Sequence, residues 1–530
     1  MIKKILLTLL LLLLLTPFLL VNISDQTPPS IKVKDLTERE IRESSQFYNK
    51  EQFGIHQAFL FGTPFERGQQ FGFWTKDLLQ KQEDSLLKKL DEIFPKIAQY
   101  GIFFFSMGWF YGLDDYFQEN WTQEMYGVSK YAPQGDLYFT STYTRQLAYH
   151  GIHDLGQMMI DHGLVLGACT QILKKNNDSW LIGRNFDFEA GPVFDQDKVL
   201  KWVFPENGYS FVSIIFSGMV GVITGINEHG VYIAINAAGS DDFTRLGTPT
   251  TLIALKALQN SRTADEAVEI IKNSKPLITD IFVVADKGPL TFIVEKTPKR
   301  VQIIRKDSSH VVTNHLQHEA WKDDKKNKSR KLQNTSIKRF HRGNNLLNGI
   351  TNSQDMVDAL RDKVNIENKI SYGHRASIDA LIASHSIVFE PKTMSLYVSK
   401  GPSLSNEFMG INLASSFENK KPIFLDIIPA DKDFIDYDFN QVKAEIKTLK
   451  KSRELAKSGD CQKAQDSLSN INAQLFDRHY SFYWTLAEIS LCKKEFKQAY
   501  GQFGLALKYK PAYLREKERI SEQIDKLRTL

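Results

Sequence analysis

From Leu164 onward the chain spells short runs rich in Val, Ile and Phe, each closed by turn chemistry, and that alternation leaves few folds open. Leu164–Leu173, Trp180–Phe188, Tyr209–Phe216, Val220–Ile226 and Val231–Asn236 read as strands. Asn176-Asn177-Asp178, Ser217-Gly218 and Asn227-Glu228-His229-Gly230 read as the turns between them. Consecutive hairpins predict antiparallel pairing. Two helices should follow at Thr250–Asn260 and Ala264–Asn273, the second opened by a capping box of Thr263 with Glu266. Further strands are predicted at Asp280–Val284, Leu290–Glu295, Arg300–Ile304, His310–Thr313, Ile387–Phe389 and Ser395–Val398. Strand blocks separated by helical blocks give an α+β layered domain of roughly residues 35–430.

At 530 residues the chain exceeds what one hydrophobic core supports, about 250–300 residues, so two or three domains are expected. Residues 35–165 read as mostly helical, with Thr75–Phe94 carrying apolar residues three and four apart. The run Gly101–Gly112 (GIFFFSMGWFYG) is too short to span a bilayer and reads as a buried helix or as an apolar wall for substrate or lipid. Lys322–Arg330 is lysine-rich and reads as a solvated loop. Beyond about Asp431 the chain is helical. There Gly459–Ala464 resembles Lys494–Ala499, and Trp484, Leu486, Ala506, Leu507 and Pro511 fall where a tetratricopeptide (TPR) repeat carries its signature. One good and one weak repeat suggest a region that packs on the catalytic domain or docks a protein partner.

Lys3 and Lys4 precede an apolar run over residues 5–21, the pattern of an export signal. Residues 1–24 are expected to be a signal peptide or an uncleaved membrane anchor, and the remainder to be exported. Lys+Arg exceed Asp+Glu by only 67 to 62, with no basic concentration, so nucleic acid is not an expected partner. No Cys or His cluster has ligand spacing, so neither metal nor cofactor is expected. The three cysteines are 169, 461 and 492. Pairing of Cys461 with Cys492 across two C-terminal helices is expected in an exported protein, with simple packing of both as the alternative, and it leaves Cys169 free.

Gly167-Ala168-Cys169-Thr170 starts a strand with a cysteine behind two small residues. Taken alone, a free cysteine is usually packing. The predicted hairpin, however, returns Arg184-Asn185-Phe186-Asp187 beside it, with Arg184 facing one layer and Asp187 near the strand end. These residues resemble the cysteine-type N-terminal-nucleophile (Ntn) hydrolases, which include choloylglycine hydrolases, acid ceramidase and its N-acylethanolamine-hydrolysing relative, and penicillin acyltransferase-like enzymes. Cys169-Thr170 followed by Arg184–Asp187 matches their first motif. Gly225-Ile226-Asn227-Glu228-His229-Gly230-Val231 with Asn236, Thr313-Asn314-His315, and Ser336–Arg342 match three more in order. The resemblance runs from about Gly62 to Pro402, beginning with Gly62–Gly68 and including His385–Pro391. The N-terminal run and the C-terminal helices fall outside it.

The resemblance implies a four-layer αββα sandwich with antiparallel sheets. It implies a helical pro-segment over 35–168 and a catalytic domain over 169–430; the TPR-like region at 431–530 is read from the repeat pattern alone. It also implies self-cleavage between Ala168 and Cys169, whose new α-amine serves as base for its own thiol; the reference values, about 7.7–8.0 and 8.5, are well matched. Asp187 would orient that amine, Arg184 would sit beside the thiol, and Asn236 would donate to the oxyanion. Asn314 would hold the amine or the substrate amide, and Arg339 would complete the polar network, with Arg330 and Arg342 as nearby alternatives. The expected activity is hydrolysis of a small-molecule, lipid-like N-acyl amide. Acyl transfer to an amine and an inert exported scaffold are the competing readings. Membrane association would run through residues 5–21.

Overall fold

The computed structural model describes residues 26–101, 111–134, 140–160, 167–365, 369–402, 404–431, 439–469 and 471–529. The apolar run 5–21 and most of Gly101–Gly112 lie outside the described residues. Among the described residues no helix is long and apolar enough to cross a membrane.

In chain order the strands are β1 (Gln46–Tyr48), β2 (His56–Gly62), β3 (Gly167–Asn176), β4 (Ser179–Phe188), β5 (Val199–Pro205), β6 (Phe211–Ile215), β7 (Thr224–Asn227) and β8 (Tyr232–Ala237). They continue as β9 (Asp280–Ala285), β10 (Thr291–Lys296), β11 (Val301–Lys306), β12 (His310–Val312), β13 (Ala383–Glu390), β14 (Ser395–Ser399), β15 (Phe408–Asn412) and β16 (Phe424–Ile428). One sheet is ordered β1-β2-β5-β6-β7-β8-β9-β10-β11, the other β12-β3-β4-β13-β14-β15-β16. Pairing is largely antiparallel, as expected; β2 beside β5 is a parallel exception. The α+β class with two mainly antiparallel sheets and many helices is therefore the one found.

The sheets belong to two compact units. The first comprises the described residues before 167 together with Ala190–Lys306 and Asn412–Ile423; the second comprises Gly167–Glu189, Asp307–Ile411 and the chain from Phe424 on. Residues 169–430 thus contribute to both units, and the C-terminal helices fall in the second.

The first unit carries the nine-stranded sheet and the helices α1 (Pro64–Ile93), α2 (Glu119–Ser129), α3 (Thr142–Ile160), α4 (Thr250–Gln259) and α5 (Ala264–Lys272). The helical reading of residues 35–165 is interrupted by β1 and β2. His56–Leu60 is buried throughout, and a short, fully buried run has no period that separates strand from helix. Thr263 caps α5 as predicted, but Glu266 reaches back to the Arg262 nitrogen. α1 starts with Thr63 and Glu66 capping each other and Pro64 in the first turn. Its next residues meet α2 at very close range: a Cβ on Gly68 would sit 2.0 Å from the Glu124 carbonyl oxygen, and one on Gly127 2.3 Å from that of Phe65. That approach buries Glu124 between Arg67 Nη2 at 2.9 Å and Lys201 Nζ at 2.7 Å. Burial pushes the Glu124 carboxyl up, but the two cations outweigh it and hold it below the ordinary value.

The second unit carries the seven-stranded sheet, α6 (Lys325–Gln333), α7 (Ser336–Leu346), α8 (Ser353–Leu360), and the C-terminal helices α9 (Phe439–Lys457), α10 (Cys461–Leu468), α11 (Tyr480–Cys492), α12 (Phe496–Lys508) and α13 (Leu514–Arg528). The solvated loop expected at Lys322–Arg330 is instead largely helix. Asp324 caps α6 by accepting from the Asn327 nitrogen, and the buried Asn327 side chain pairs with both backbone groups of Leu316. Charge density hid a helix of good formers with a proper cap. Ala464 and Ala499, the repeated alanines, are both fully buried. Cys461 and Cys492 are disulfide-bonded with Cα atoms 5.6 Å apart, and Cys169 is a buried thiol outside that bridge.

Because Gly68 has backbone rather than a flexible side chain in front of it, Gly68→Ala should force α1 and α2 apart and cost about 1–3 kcal/mol. Urea or thermal unfolding checks this. Parent-like stability would show that the crossing yields more easily than its geometry implies.

Candidate functional site

The site begins with the β3–β4 hairpin. Asn176 faces Ser179 across a two-residue connection in which Asn177 takes a left-handed conformation (φ 51°), a role asparagine fills readily. From that turn the register is continuous: Gln171 opposes Arg184, Thr170 opposes Asn185, Cys169 opposes Phe186, and Ala168 opposes Asp187. Alternation places Cys169 and Arg184 on one face, and Thr170, Asn185 and Asp187 on the other. Arg184 Nη2 accordingly stands 4.0 Å from Cys169 Sγ.

The residues behind the opposite face come from the segment after β12 and from α7. The Cys169 backbone nitrogen donates to Asn314 Oδ1 at 2.9 Å. Arg339 Nη1 donates to the Cys169 carbonyl oxygen at 2.6 Å and to Thr170 Oγ1 at 2.8 Å, while Nη2 donates to Asn314 Oδ1 at 2.7 Å and Nε to Thr335 Oγ1 at 3.3 Å. Of the three candidate arginines, Arg339 makes these contacts; Arg342 is engaged with Asp362, and Arg330 lies on α6.

Asn314 is itself held by its neighbours. Its backbone nitrogen donates to Ser336 Oγ at 2.8 Å, and the same hydroxyl meets Thr313 Oγ1 at 2.9 Å and His315 Nδ1 at 2.8 Å. Burial, followed by Lys331 and Arg339, pushes His315 down to about 3, so its ring stays neutral in this network. In the sequence Ser336 marks only the start of a motif; its function as a hub is not legible there. Asn185 also proves structural: its amide donates to the carbonyls of Leu360 and Ile378 and its oxygen accepts from Ser386. Asn227 pins its own turn, accepting from His229 and Val231 and donating to Leu258 and Ser261.

Asp187 is different. It is buried, and neither carboxyl oxygen has a hydrogen-bond partner among the described residues. Burial pushes it up to about 7; Arg339, Arg375 and Arg184 pull it down and Asp379 opposes them. Arg339 is lowered by burial, against which Asp187 acts first. Thus Cys169, Arg184, Asp187, Asn314 and Arg339 gather within the second unit, whereas Asn236 is carried, fully buried, by β8 of the first.

Residues 173–402 match the family described as acyl-coenzyme A:6-aminopenicillanic acid acyl-transferase, a stretch that includes Arg184, Asp187, Asn236, Asn314 and Arg339 and starts just after Cys169. No curated protein sequence matches the chain. Among solved structures, the Caenorhabditis elegans ortholog of N-acylethanolamine-hydrolyzing acid amidase is 16% identical over 49% of this chain and 100% of its own, with a TM-score of 0.32. Penicillin V acylase from Agrobacterium tumefaciens is 19% identical over 46% of this chain and 86% of its own, with a TM-score of 0.32. A mutant of conjugated bile acid hydrolase from Clostridium perfringens is 15% identical over 49% of this chain and 96% of its own, with a TM-score of 0.30. The family match bears out the resemblance to cysteine Ntn hydrolases over the stretch it covers.

The buried carboxyl has a thermodynamic consequence. With its folded pKa near 7 against an ordinary 3.8, Asp187 binds its proton more tightly in the folded chain than in the unfolded one. Its contribution is fully present below about pH 4 and is lost as pH rises towards 7, on the order of 4 kcal/mol at most. In an uncleavable Cys169→Ala chain, stability should therefore fall across that window, and Asp187→Asn in the same background should flatten the fall. Denaturant midpoints measured at intervals from pH 4 to 8 test it; parallel curves for the two chains would refute the assignment.

Proposed function

We propose that the chain is a cysteine Ntn amidohydrolase that cuts itself before Cys169 and then cleaves a non-peptide N-acyl amide through a thioester on that residue. The observation carrying this reading is the placement of the Ala168–Cys169 peptide. Its nitrogen is held by Asn314, the next carbonyl by Arg339, and across the ladder from Ala168 stands a buried carboxyl lacking a partner.

In the precursor, Cys169 Sγ attacks the Ala168 carbonyl carbon, and the Cys169 nitrogen takes a proton and leaves as an amine. Water hydrolyses the resulting Ala168 thioester, which frees the thiol and releases the Ala168 carboxylate. The new amine can donate to Asn314 Oδ1 as the amide did, and its protonated form supplies the cation that Asp187 lacks. Nucleophile and base then reside on one residue, the arrangement that activates a weak nucleophile near neutral pH.

In turnover the amine takes the thiol proton, the thiolate attacks the substrate carbonyl, and the leaving amine departs with that proton. Arg184, on the face of the thiol, favours the thiolate. Asn236 is assigned to the oxyanion on the resemblance alone; such a donor is typically worth about 2.7–4 kcal/mol. Water then releases the acyl group, or an amine accepts it, which is the alternative acyltransferase reading, in keeping with the acyl-transferase family that the chain matches. The family match supports a small-molecule acyl amide as the substrate class, and the residue 5–21 run supports an exported enzyme.

The active preparation should contain two chains, the second beginning at Cys169. Mass analysis and N-terminal sequencing decide it, and an intact chain in an active sample would sink the proposal. Cys169→Ala should remain intact and inactive, and Cys169→Ser should process more slowly. Assays on a panel of N-acyl amides with and without a primary amine separate hydrolysis from transfer and both from an inert scaffold.

For Asp187→Asn, the loss should fall on kcat, by about 100-fold or more, with KM within about twofold, because the carboxylate acts on the amine only as it takes the proton. Near-parent turnover in a folded Asp187→Asn protein would remove Asp187 from the mechanism.

A further inference from the structure

The C-terminal helices lie outside the family match, yet they close around one short segment of the same unit, Tyr372–Ala376. Tyr372 packs with Phe439, Val442 and Ile446 of α9 and with Leu475. Gly373 has a left-handed φ of 71°, and a Cβ there would sit 2.5 Å from Ile446 Cδ1. His374 is buried, edge-on to Tyr480 of α11 at 5.3 Å between centroids and to His479 at 5.9 Å. Its Nδ1 accepts from the Ala376 nitrogen at 3.2 Å, so its Nε2 carries the proton and donates to the Lys510 carbonyl between α12 and α13. Burial holds this imidazole down to about 4, which keeps that tautomer neutral.

The next residue points the grip at the site. Arg375 Nη2 pairs with Glu189 Oε2 at 2.6 Å, and Glu189 lies two residues beyond Asp187 on the extension of β4. Although burial works against its charge, the Glu189 carboxylate keeps Arg375 firmly protonated, with Tyr513, at the start of α13, also facing it. A second tie runs in parallel: Lys338, next to Arg339 on α7, donates to the Ala512 carbonyl at 2.5 Å.

We infer that Arg375 is a positioning residue for the Cys169 site, and that the C-terminal helical array, by gripping Tyr372–Ala376, holds it against Glu189 beside Asp187. The array thus serves its own chain, the first of the two roles that the sequence left open for it. The inference rests on the reading of Asp187 as the carboxylate serving Cys169. Charged groups acting on Asp187 are Arg339 on α7, Arg184 on β4, Arg375 from the segment the array holds, and Asp379 just beyond that segment; the first three favour the carboxylate and Asp379 opposes it. Those facing Arg375 are Glu189, Tyr513 and Tyr480.

The test uses the full-length, uncleavable Cys169→Ala chain, so its readout is independent of activity. The quantity is the folded-state pKa of Asp187, read as the pH at which the Asp187-dependent fall in stability levels off and obtained by difference from the Asp187→Asn chain. Replacing Arg375→Gln removes the cation while leaving an amide that can still donate to Glu189, and should raise that pH by about one unit, a tenfold change in the protonation equilibrium. Arg375→Lys should hold it within a few tenths of a unit. His374→Phe keeps the ring contact with Tyr480 but loses the donor to Lys510, and should shift the pH in the same direction. If Arg375→Gln fails to fold, Arg375→Lys and His374→Phe still carry the comparison. An unmoved value in Arg375→Gln, or a full shift in Arg375→Lys, overturns the positioning role; a shift in Arg375→Gln with none in His374→Phe overturns the role of the array. Failure of the enzymatic reading would be seen separately, as an intact wild-type chain.

Discussion

One buried guanidinium organises the second unit. Arg339 directs its donors to the carbonyl of Cys169, the hydroxyl of Thr170, the side chain of Asn314 and the hydroxyl of Thr335, and so joins the start of β3, the segment after β12 and the first turns of α7. Burial works against its charge, and the negative field of Asp187 is the main force that offsets the cost. A planar, rigid fork suits this task in a way that a lysine ammonium does not, because four acceptors in different directions are met by one side chain. Breaking such a buried cluster by removing one member usually costs about 3–5 kcal/mol, since the remaining groups lose their compensation.

That dependence explains which parts of the site are legible in the sequence. The β3–β4 hairpin is, because a two-residue turn and strict alternation fix which residues oppose each other: Cys169 with Arg184 on one face and Asp187 opposite Ala168 follow from counting. The approach of Asn314 and Arg339 is not derivable in this way. They are separated from Cys169 by 145 and 170 residues, and only the resemblance puts them in one site. β2 reads as helix because its buried run has no solvent side, and α6 reads as loop because KKNKSRKLQ offers a single apolar residue, Leu332, from which no helical period can be taken.

Several motif residues shape the backbone without a part in the chemistry. Asn185 ties β4 to the segments at Leu360 and Ile378, Asn227 closes its turn, and Gly68 permits the α1–α2 crossing that buries Arg67 against Glu124. Each occupies a position where one residue type is required by geometry. A motif read from sequence mixes such positions with reactive ones, and only the hydrogen-bond partners separate them.

The proposed role of Asp187 rests on the contrast between two buried carboxyls in this chain. Glu124 and Asp187 are both withdrawn from water, yet Glu124 meets two cations at hydrogen-bond distance and is held below its ordinary pKa, while Asp187 meets none and rises to about 7. Stability alone has no use for the second arrangement, because a buried acceptor without a donor costs about 1–3 kcal/mol and any apolar isostere would relieve it. The cost is offset if the missing donor is created later. In the proposed mechanism that donor is the Cys169 nitrogen, one residue along from the Ala168–Asp187 pair on the ladder, which can carry a positive charge only after the peptide before it is cut.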